Sequence, residues 1–350
     1  MNKNRIITSI GVVLLTTGII GSILSGINTI PKIINNVQMA HEKFNEEEIL
    51  YKSEMNLAKL DINLKTSNVT IKKYDGKNVI VQRNGNKGLS TITTKESNDK
   101  LTINEEFNNN NKNLIKSIDD IVRYFVNEIF TSSYSDITVY IPENIDVNIN
   151  TDNTKVYIDD MKLNNVDFNT SYGNISLGQD SQVKNLNIKS TDIFLNVDDI
   201  YCAENINIES VGVDINGYNT ISQDAKIPKN IKIKASSDYY DDINIDINTN
   251  IPIAKNLYIE SNSTVSLDLP LLDYKFNFDI KTSKGIDFSD DEDKYRKTVL
   301  EKYFNYDEDE GIDEDKEYKQ KDFIGLINDE LKDNPTEYGI NIKSSIVKFD

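Results

Sequence analysis

Asn185-Leu186-Asn187-Ile188 and, further along the chain, Asn205-Ile206-Asn207-Ile208 are two copies of one unit, an Asn followed by two apolar residues at alternate positions. The unit recurs upstream as Asn144-Ile145-Asp146-Val147 and Asn165-Val166-Asp167-Phe168. Downstream it recurs as Asn230-Ile231-Lys232-Ile233 and Asn256-Leu257-Tyr258-Ile259. Successive Asn positions stand 21, 20, 20, 25 and 26 residues apart. Self-similarity at such a period marks stacked repeats. Each copy alternates apolar and polar, the period of a strand with one buried face. A Ser or Thr follows within a few residues (Thr151, Thr170, Ser190, Ser210, Ser236, Ser261), and then a second short apolar pair. A unit this small cannot bury its apolar side alone, so neighbouring units must stack on it.

The fold class expected is therefore all-β: a right-handed parallel β-solenoid with rungs of about 20–26 residues. Asn suits the corners in two ways. It tolerates left-handed backbone angles at tight turns, and its amide can hydrogen-bond from rung to rung. Earlier strands start at Leu60-Asp61-Ile62-Asn63-Leu64 and continue through Val69-Thr70-Ile71, Val79-Ile80-Val81 and Leu101-Thr102-Ile103. Asp75-Gly76 and Gly85 to Gly88 read as hairpins or corners between them. With the copy Phe276-Asn277-Phe278-Asp279-Ile280, about nine rungs at roughly 4.8 Å would give an array of about 40 Å. One more rung, Gly339-Ile340-Asn341-Ile342, comes near the end.

Two insertions interrupt the repeats. Residues 112–131 place apolar side chains at Leu114, Ile118, Ile121, Val122, Phe125 and Ile129, one face of a helix expected to cap the stack, with a partner-binding or membrane-lying helix as the alternative. Residues 290–335 read as two helices, Lys294–Tyr303 and Lys321–Leu331, around the acidic run Asp307 to Asp315. A calcium loop there fails on register. With Gly311 at the sixth position Glu317 falls at the twelfth, but Tyr306 stands where the first carboxylate must be.

The amino terminus differs from the rest. Residues 1–31 hold Lys3 and Arg5 and then an uncharged run from Ile6 to Pro31. As a helix rising about 1.5 Å per residue, Ile6 to Ile27 covers roughly 33 Å, enough to span a bilayer. The expectation is an uncleaved anchor with a short cytoplasmic tip; a cleaved signal peptide and a buried core helix are the alternatives. Residues 32–56 read as a polar, partly helical stalk, and 57–350 as the β-solenoid domain. The protein is expected at the cell membrane, single-pass, with its carboxyl-terminal domain outside.

Charge and composition narrow the chemistry. The 350 residues carry a net charge of -18, which repels nucleic acid. A hydrophobic fraction of 38% is below the roughly 45–50% of globular domains and suits a thin, elongated core. His41 is the one histidine, which excludes His-based triads and His-rich zinc sites. The single Cys202 has no disulfide partner within the chain and no base beside it. Phosphate loops and nucleophile elbows are absent from the sequence. Asp159-Asp160, Asp198-Asp199 and Asp241-Asp242 resemble the acids of polysaccharide-cleaving β-helices. Neighbours on a strand face opposite ways, however, so each pair presents at most one outward carboxylate and reads better as a turn. No catalytic, cofactor-binding or metal-binding residues are expected, and no cofactor.

The charged start, the Gly18-Ile19-Ile20-Gly21-Ser22-Ile23-Leu24-Ser25-Gly26 segment, Thr138-Val139-Tyr140-Ile141-Pro142, and repeats such as Ser171-Tyr172-Gly173-Asn174-Ile175-Ser176-Leu177 resemble the DUF4097 family of β-strand repeat proteins. The resemblance covers residues 5 to 289 and the last rung. It implies a surface-displayed adhesin of a low-GC Gram-positive bacterium, and it supplies no catalytic residues. The function expected is a non-enzymatic binding or adhesion scaffold at the cell envelope, in contact with the membrane through its amino-terminal helix. Its further partner would be an envelope polysaccharide or a membrane protein. The alternatives are an envelope-stress regulator that contacts a membrane protein and a polysaccharide-cleaving β-helix.

Overall fold

Branched aliphatic residues at every second position favour extended backbone, and a row of them can be buried only when another rung lies on each side. The computed structural model describes residues 47–76, 78–84, 90–107, 135–217, 227–236, 243–288, 302–303, 321–328, 331 and 336–349. The chain divides into two compact units. One comprises Met1–Glu48, Asn84–Thr91 and Phe107–Ser135, and few of its residues are described. The other comprises Ile49–Arg83, Ile92–Glu106 and Asp136–Asp350, and is the unit considered below.

The strands are, in order, β1 (Glu48–Glu54), β2 (Lys59–Asn63), β3 (Asn68–Lys73), β4 (Asn78–Asn84), β5 (Ser90–Ser97), β6 (Lys100–Phe107) and β7 (Asp136–Ile141). The regular repeats follow as β8 (Asp146–Thr151), β9 (Lys155–Asp159), β10 (Lys162–Thr170), β11 (Asn174–Leu177), β12 (Gln182–Lys189) and β13 (Asp192–Asn196). A one-turn helix, α1 (Val197–Ile200), leads to β14 (Ala203–Ser210), β15 (Gly212–Gly217), β16 (Asn230–Ala235), β17 (Ile243–Thr249), β18 (Asn256–Ser261) and β19 (Thr264–Asp268). The last are β20 (Lys275–Phe288), β21 (Asp322–Ile327) and β22 (Glu337–Phe349).

From β8 to β19 each coil gives one strand to each of two faces. The first face runs β6, β2, β8, β10, β12, β14, β16, β18, β22, β20, and neighbours pair in parallel throughout. The second face holds β1, β4, β7, β3, β9 and β11 in one run and β13, β15, β17 and β19 in another. The long strand β22 joins the faces, pairing with β18 through Gly339 to Lys343 and with β19 through Ile346 to Phe349.

The register follows the repeat. Asn165, Asn185, Asn205, Asn230 and Asn256 stand opposite one another. Two inward columns, Leu186, Ile206, Ile231, Leu257 and Phe168, Ile188, Ile208, Ile233, Ile259, are at most 3% exposed. Burial of each such side chain stabilises by about 1.5–3 kcal/mol. One copy departs from the expected alignment. Val147, not Ile145, pairs with Val166, so Asp146 takes the place expected for Asn144. Asn144 instead lies in a turn at φ 62. A slip of two residues keeps every inward side chain inward, so the alternation alone does not fix it.

The order of the coils also departs from the order of the chain. β2 lies between β6 and β8, and β3 between β7 and β9. At the other end β22 lies between β18 and β20, so the last strand is enclosed within the sheet. The Asp75-Gly76 turn is accordingly a corner rather than a hairpin, since β3 and β4 are not neighbours.

Two helical expectations are corrected. Asp322–Ile327, within the segment expected as the helix Lys321–Leu331, is strand β21, antiparallel to β20. Phe323, Ile324, Leu326 and Ile327 suit either period over so short a run, and the open backbone groups of β20 decide for the strand. The stalk is not helical at its end, where Glu48–Glu54 forms β1. Lys302 and Tyr303 are helical, and the rest of that expected helix lies outside the described residues. So do the anchor Ile6–Pro31, most of the stalk, the helical insertion 112–131 and the acidic run Asp307–Asp315. Among the described residues no helix is long and apolar enough to cross a membrane.

Candidate binding face

The outward positions of the first face form three parallel rows, because the register repeats without a slip from β10 to β18. The first row is an amide ladder. Asn256 Nδ2 donates to Asn230 Oδ1 at 3.2 Å, Asn230 to Asn205 at 2.9 Å, and Asn205 to Asn185 at 3.2 Å. Asn185 donates to Asn165 at 2.8 Å, and Asn165 to the Asp146 carboxylate at 2.8 Å. All five amides point the same way and end on a charge, so each bond polarises the next. At the far end the register partner of Asn256 is Gly339, which has no side chain to continue the ladder. Of these residues only Asn144, outside the ladder, has left-handed backbone angles. Rung-to-rung bonding is therefore the reason for Asn here, and tolerance of turns is not.

The second row is less uniform. Asn207 donates to Asn187 at 2.8 Å and Asn187 to Asp167 at 2.7 Å. Lys232 and Tyr258 occupy the next two rungs, with Lys232 Nζ 6.0 Å from the ring centroid of Tyr258. Asn341 follows and donates to Asp279 at 3.1 Å. An amide has two N–H hydrogens and two acceptor lone pairs, so each laddered Asn keeps capacity for a ligand on its solvent side. The third row continues from Asn169, Asn150, Asn63 and Asn104, linked at 3.0, 2.9 and 2.8 Å. It then alternates in charge through Lys189, Glu209, Lys234, Glu260 and Lys343. Lys189 and Glu209 stand 3.6 Å apart and exposed, a pair worth little to stability.

The second and third rows line an open groove of about 870 Å³. Its wall combines amide donors and acceptors, charges of both signs and the exposed ring of Tyr258. Such a surface can hold a polar polymer laid along the stack, one rung of contacts following another at roughly 4.8 Å. Tyr258 and Lys232 both stand in the sequence repeats. Their meeting follows from the repeat period, since equivalent positions of successive copies become lateral neighbours.

Elsewhere, of the acidic pairs, Asp159 ends β9 with Asp160 just after it, and Asp198-Asp199 lie in the one-turn helix α1. Asp159 faces Lys72 at 2.9 Å, and its hydrogen bond is the main reason that the Lys72 ammonium titrates above its ordinary range. Asp160 turns the chain at φ 44 and accepts the Asp180 N–H at 3.1 Å. Asp199 accepts from Ser176 Oγ at 2.6 Å and from Asn196 Nδ2 at 3.0 Å. Asp241-Asp242 lies outside the described residues. Cys202 is half-buried and its Sγ lies 3.2 Å from both the Gly178 and Gln179 carbonyls. Burial first, then the charges of Asp160 and Asp180, raise its pKa and keep it a thiol. Among the described residues no group of three His, Cys, Asp or Glu is placed to hold a metal ion.

Comparison with known proteins adds the family. The profile of the family described as Toastrack DUF4097 matches residues 57–309. Among solved structures, similarity is found to a candidate adhesin from Bacteroides fragilis NCTC 9343, with 10% identity over 87% of this chain and 97% of that one, at a TM-score of 0.36. A candidate cell adhesion protein from Clostridium sporogenes ATCC 15579 is similar at 10% identity over 87% and 96%, with a TM-score of 0.19. At such low scores the fold rests on the strand register and the family match. No curated protein matches significantly.

Proposed function

This chain belongs to the Toastrack DUF4097 family, and we propose that it is a non-catalytic binding scaffold of the cell envelope that presents the first face of its stack to an envelope polysaccharide. The observation that carries this reading is the second outward row, where Asn187, Asn207, Lys232, Tyr258 and Asn341 follow one another rung by rung along an open groove. Amides and an exposed ring suit hydroxyl groups and the apolar face of a sugar, and a straight row suits a polymer better than a compact ligand. The chain's net charge of -18 argues against anionic polymers and favours a neutral or mixed-charge one.

The apolar run Ile6–Pro31 supports an anchor with a short inside tip, which would display the stack outside the cell. Two measurements test the reading. The full chain should co-sediment with insoluble envelope polysaccharide, and Tyr258→Ala should weaken that binding. A carboxyl-terminal tag should be lost to protease on intact cells while a cytoplasmic marker is spared. Undiminished binding by Tyr258→Ala would sink this face as the contact surface. Protection of the tag until lysis, with a wall shown to admit the protease, would sink surface display.

A further inference from the structure

The second face carries a groove of its own. We propose that it is a saccharide-binding site, separate from the face described above, in which Phe194 and Tyr172 form an apolar platform and Asp214, Asp246 and Asn244 hold hydroxyl or acetamido groups.

The apolar part comes from residues in the wrong place for solubility. On β13 the inward residues Ile193 and Leu195 are buried, and between them the outward position is Phe194, 47% exposed. Tyr172, at the turn before β11, is 61% exposed, and Ile243, at the start of β17, is 50% exposed. All three line one open groove of about 650 Å³. Single exposed apolar residues are ordinary, but three gathered on one groove mark an interaction site.

The polar part adjoins them by register. Phe194 pairs with Asp214, and Asp214 with Asp246, so one ring and two carboxylates follow at successive rungs. Asp214 accepts from Asn216 Nδ2 at 2.7 Å and Asp246 from Ser266 Oγ at 3.2 Å, which leaves each carboxylate further acceptor sites. Burial first, and the charge of Asp246 second, push the Asp214 carboxyl above its ordinary range. Donors from a ligand would relieve that strain.

Asn244 is the independent sign of a ligand. It lines the same groove, is only 6% exposed, and sits at an irregularity in β17 where the register shifts between Ile243 and Ile245. Its Oδ1 accepts from Ser261 Oγ at 2.9 Å, but its Nδ2 has no partner among the described residues. A buried, unpaired N–H donor is destabilising and calls for an acceptor. An ammonium group could answer the carboxylates but would leave this donor unpaired. A sugar hydroxyl donates to the one and accepts from the other, and a pyranose ring offers an apolar face to Phe194.

Titration calorimetry of the full chain in mild detergent, with chitotetraose and maltotetraose as probes and tetralysine as the cationic comparison, decides the matter. At least one tetrasaccharide should bind, and Phe194→Ala should weaken it by about tenfold, the loss expected for an anchoring aromatic. Asp214→Asn should also weaken it, whereas Leu272→Ala, at an exposed position outside both grooves, should not. Phe194 is exposed, so its variant should melt with the parent and separate binding from folding. Binding of neither sugar, or of tetralysine alone, overturns the proposal. Sugar binding lost in Tyr258→Ala but intact in Phe194→Ala overturns it too, while leaving the first face as the contact surface.

Discussion

Glu105 on β6 closes the corner at Ser67, a residue that precedes it by 38 positions. One carboxylate oxygen accepts from Ser67 Oγ at 2.5 Å, and the other accepts the backbone N–H groups of Lys65, Thr66 and Ser67 at 2.8, 3.0 and 3.2 Å. Glu105 is 5% exposed and Ser67 fully buried. The corner between β2 and β3 therefore depends on the neighbouring coil for its hydrogen bonds. Glu105→Ala would leave three backbone donors unpaired, each costing about 1–3 kcal/mol if no water enters. The expected loss is roughly 3 kcal/mol or more by urea unfolding, with Glu105→Gln intermediate. A loss below about 0.5 kcal/mol, the range of an ordinary surface change, would show that the corner holds itself.

The amide ladder should respond according to position. Asn205 both donates and accepts within it, whereas Asn256 at the end donates to Asn230 and has only Gly339 beyond. Removal of a laddered amide breaks hydrogen bonds worth about 0.5–1.5 kcal/mol each. Asn205→Ala should therefore cost about 1–2 kcal/mol and Asn256→Ala about half as much, measured by thermal or urea melts. Equal costs would mean that the bonds do not act as a chain.

These relationships show what the sequence could and could not disclose. The Asn repeat sets which residues stack from β10 to β18, because every copy there keeps one alternation and one corner. It misplaces Asn144, since a slip of two residues preserves the buried face. It is silent on β2 lying between β6 and β8, because backbone pairing between distant strands leaves no local pattern. The apolar residues of β21 fit a helix and a strand alike over so short a run, and the partner strand β20 chose between them. Of the binding face, Asn187, Asn207 and Tyr258 stand in the repeats themselves. The gathering of Tyr172, Phe194 and Ile243 becomes visible only when the coils are laid side by side.

Alkali should destabilise the protein through Tyr201. Its ring is 7% exposed, its hydroxyl donates to the Pro252 carbonyl at 3.3 Å, and burial first, then the Asp198 charge, raises its pKa well above the ordinary 10.0. The unfolded chain then releases this proton at lower pH than the folded one. The stability that Tyr201 contributes is complete below about pH 10 and falls as the pH rises further, by at most about 1.4 kcal/mol per pH unit. Tyr201→Phe should flatten urea-midpoint profiles between about pH 10 and 11 relative to the parent. Parallel profiles would mean that the phenol titrates in the folded state as freely as in the unfolded one.

The enclosed last strand makes the strongest demand on stability. β22 pairs with β18 and β19 on one side and β20 on the other, so no other strand can bridge them. Its Phe349 is 1% exposed and meets Phe278 edge-on, with ring centroids 5.9 Å apart. Truncation of a buried aromatic costs about 3–5 kcal/mol through lost transfer and the cavity left behind. Phe349→Ala should lose that amount, and hydrogen exchange should quicken first in β19, β20 and β22. A chain ending before Glu337 should lose protection in β18 and β19 as well, because their outer hydrogen-bonding edges would face water. Retained protection there would require β20 to move across and pair directly with β18. That would make β22 an addition to a complete stack and not part of its closure.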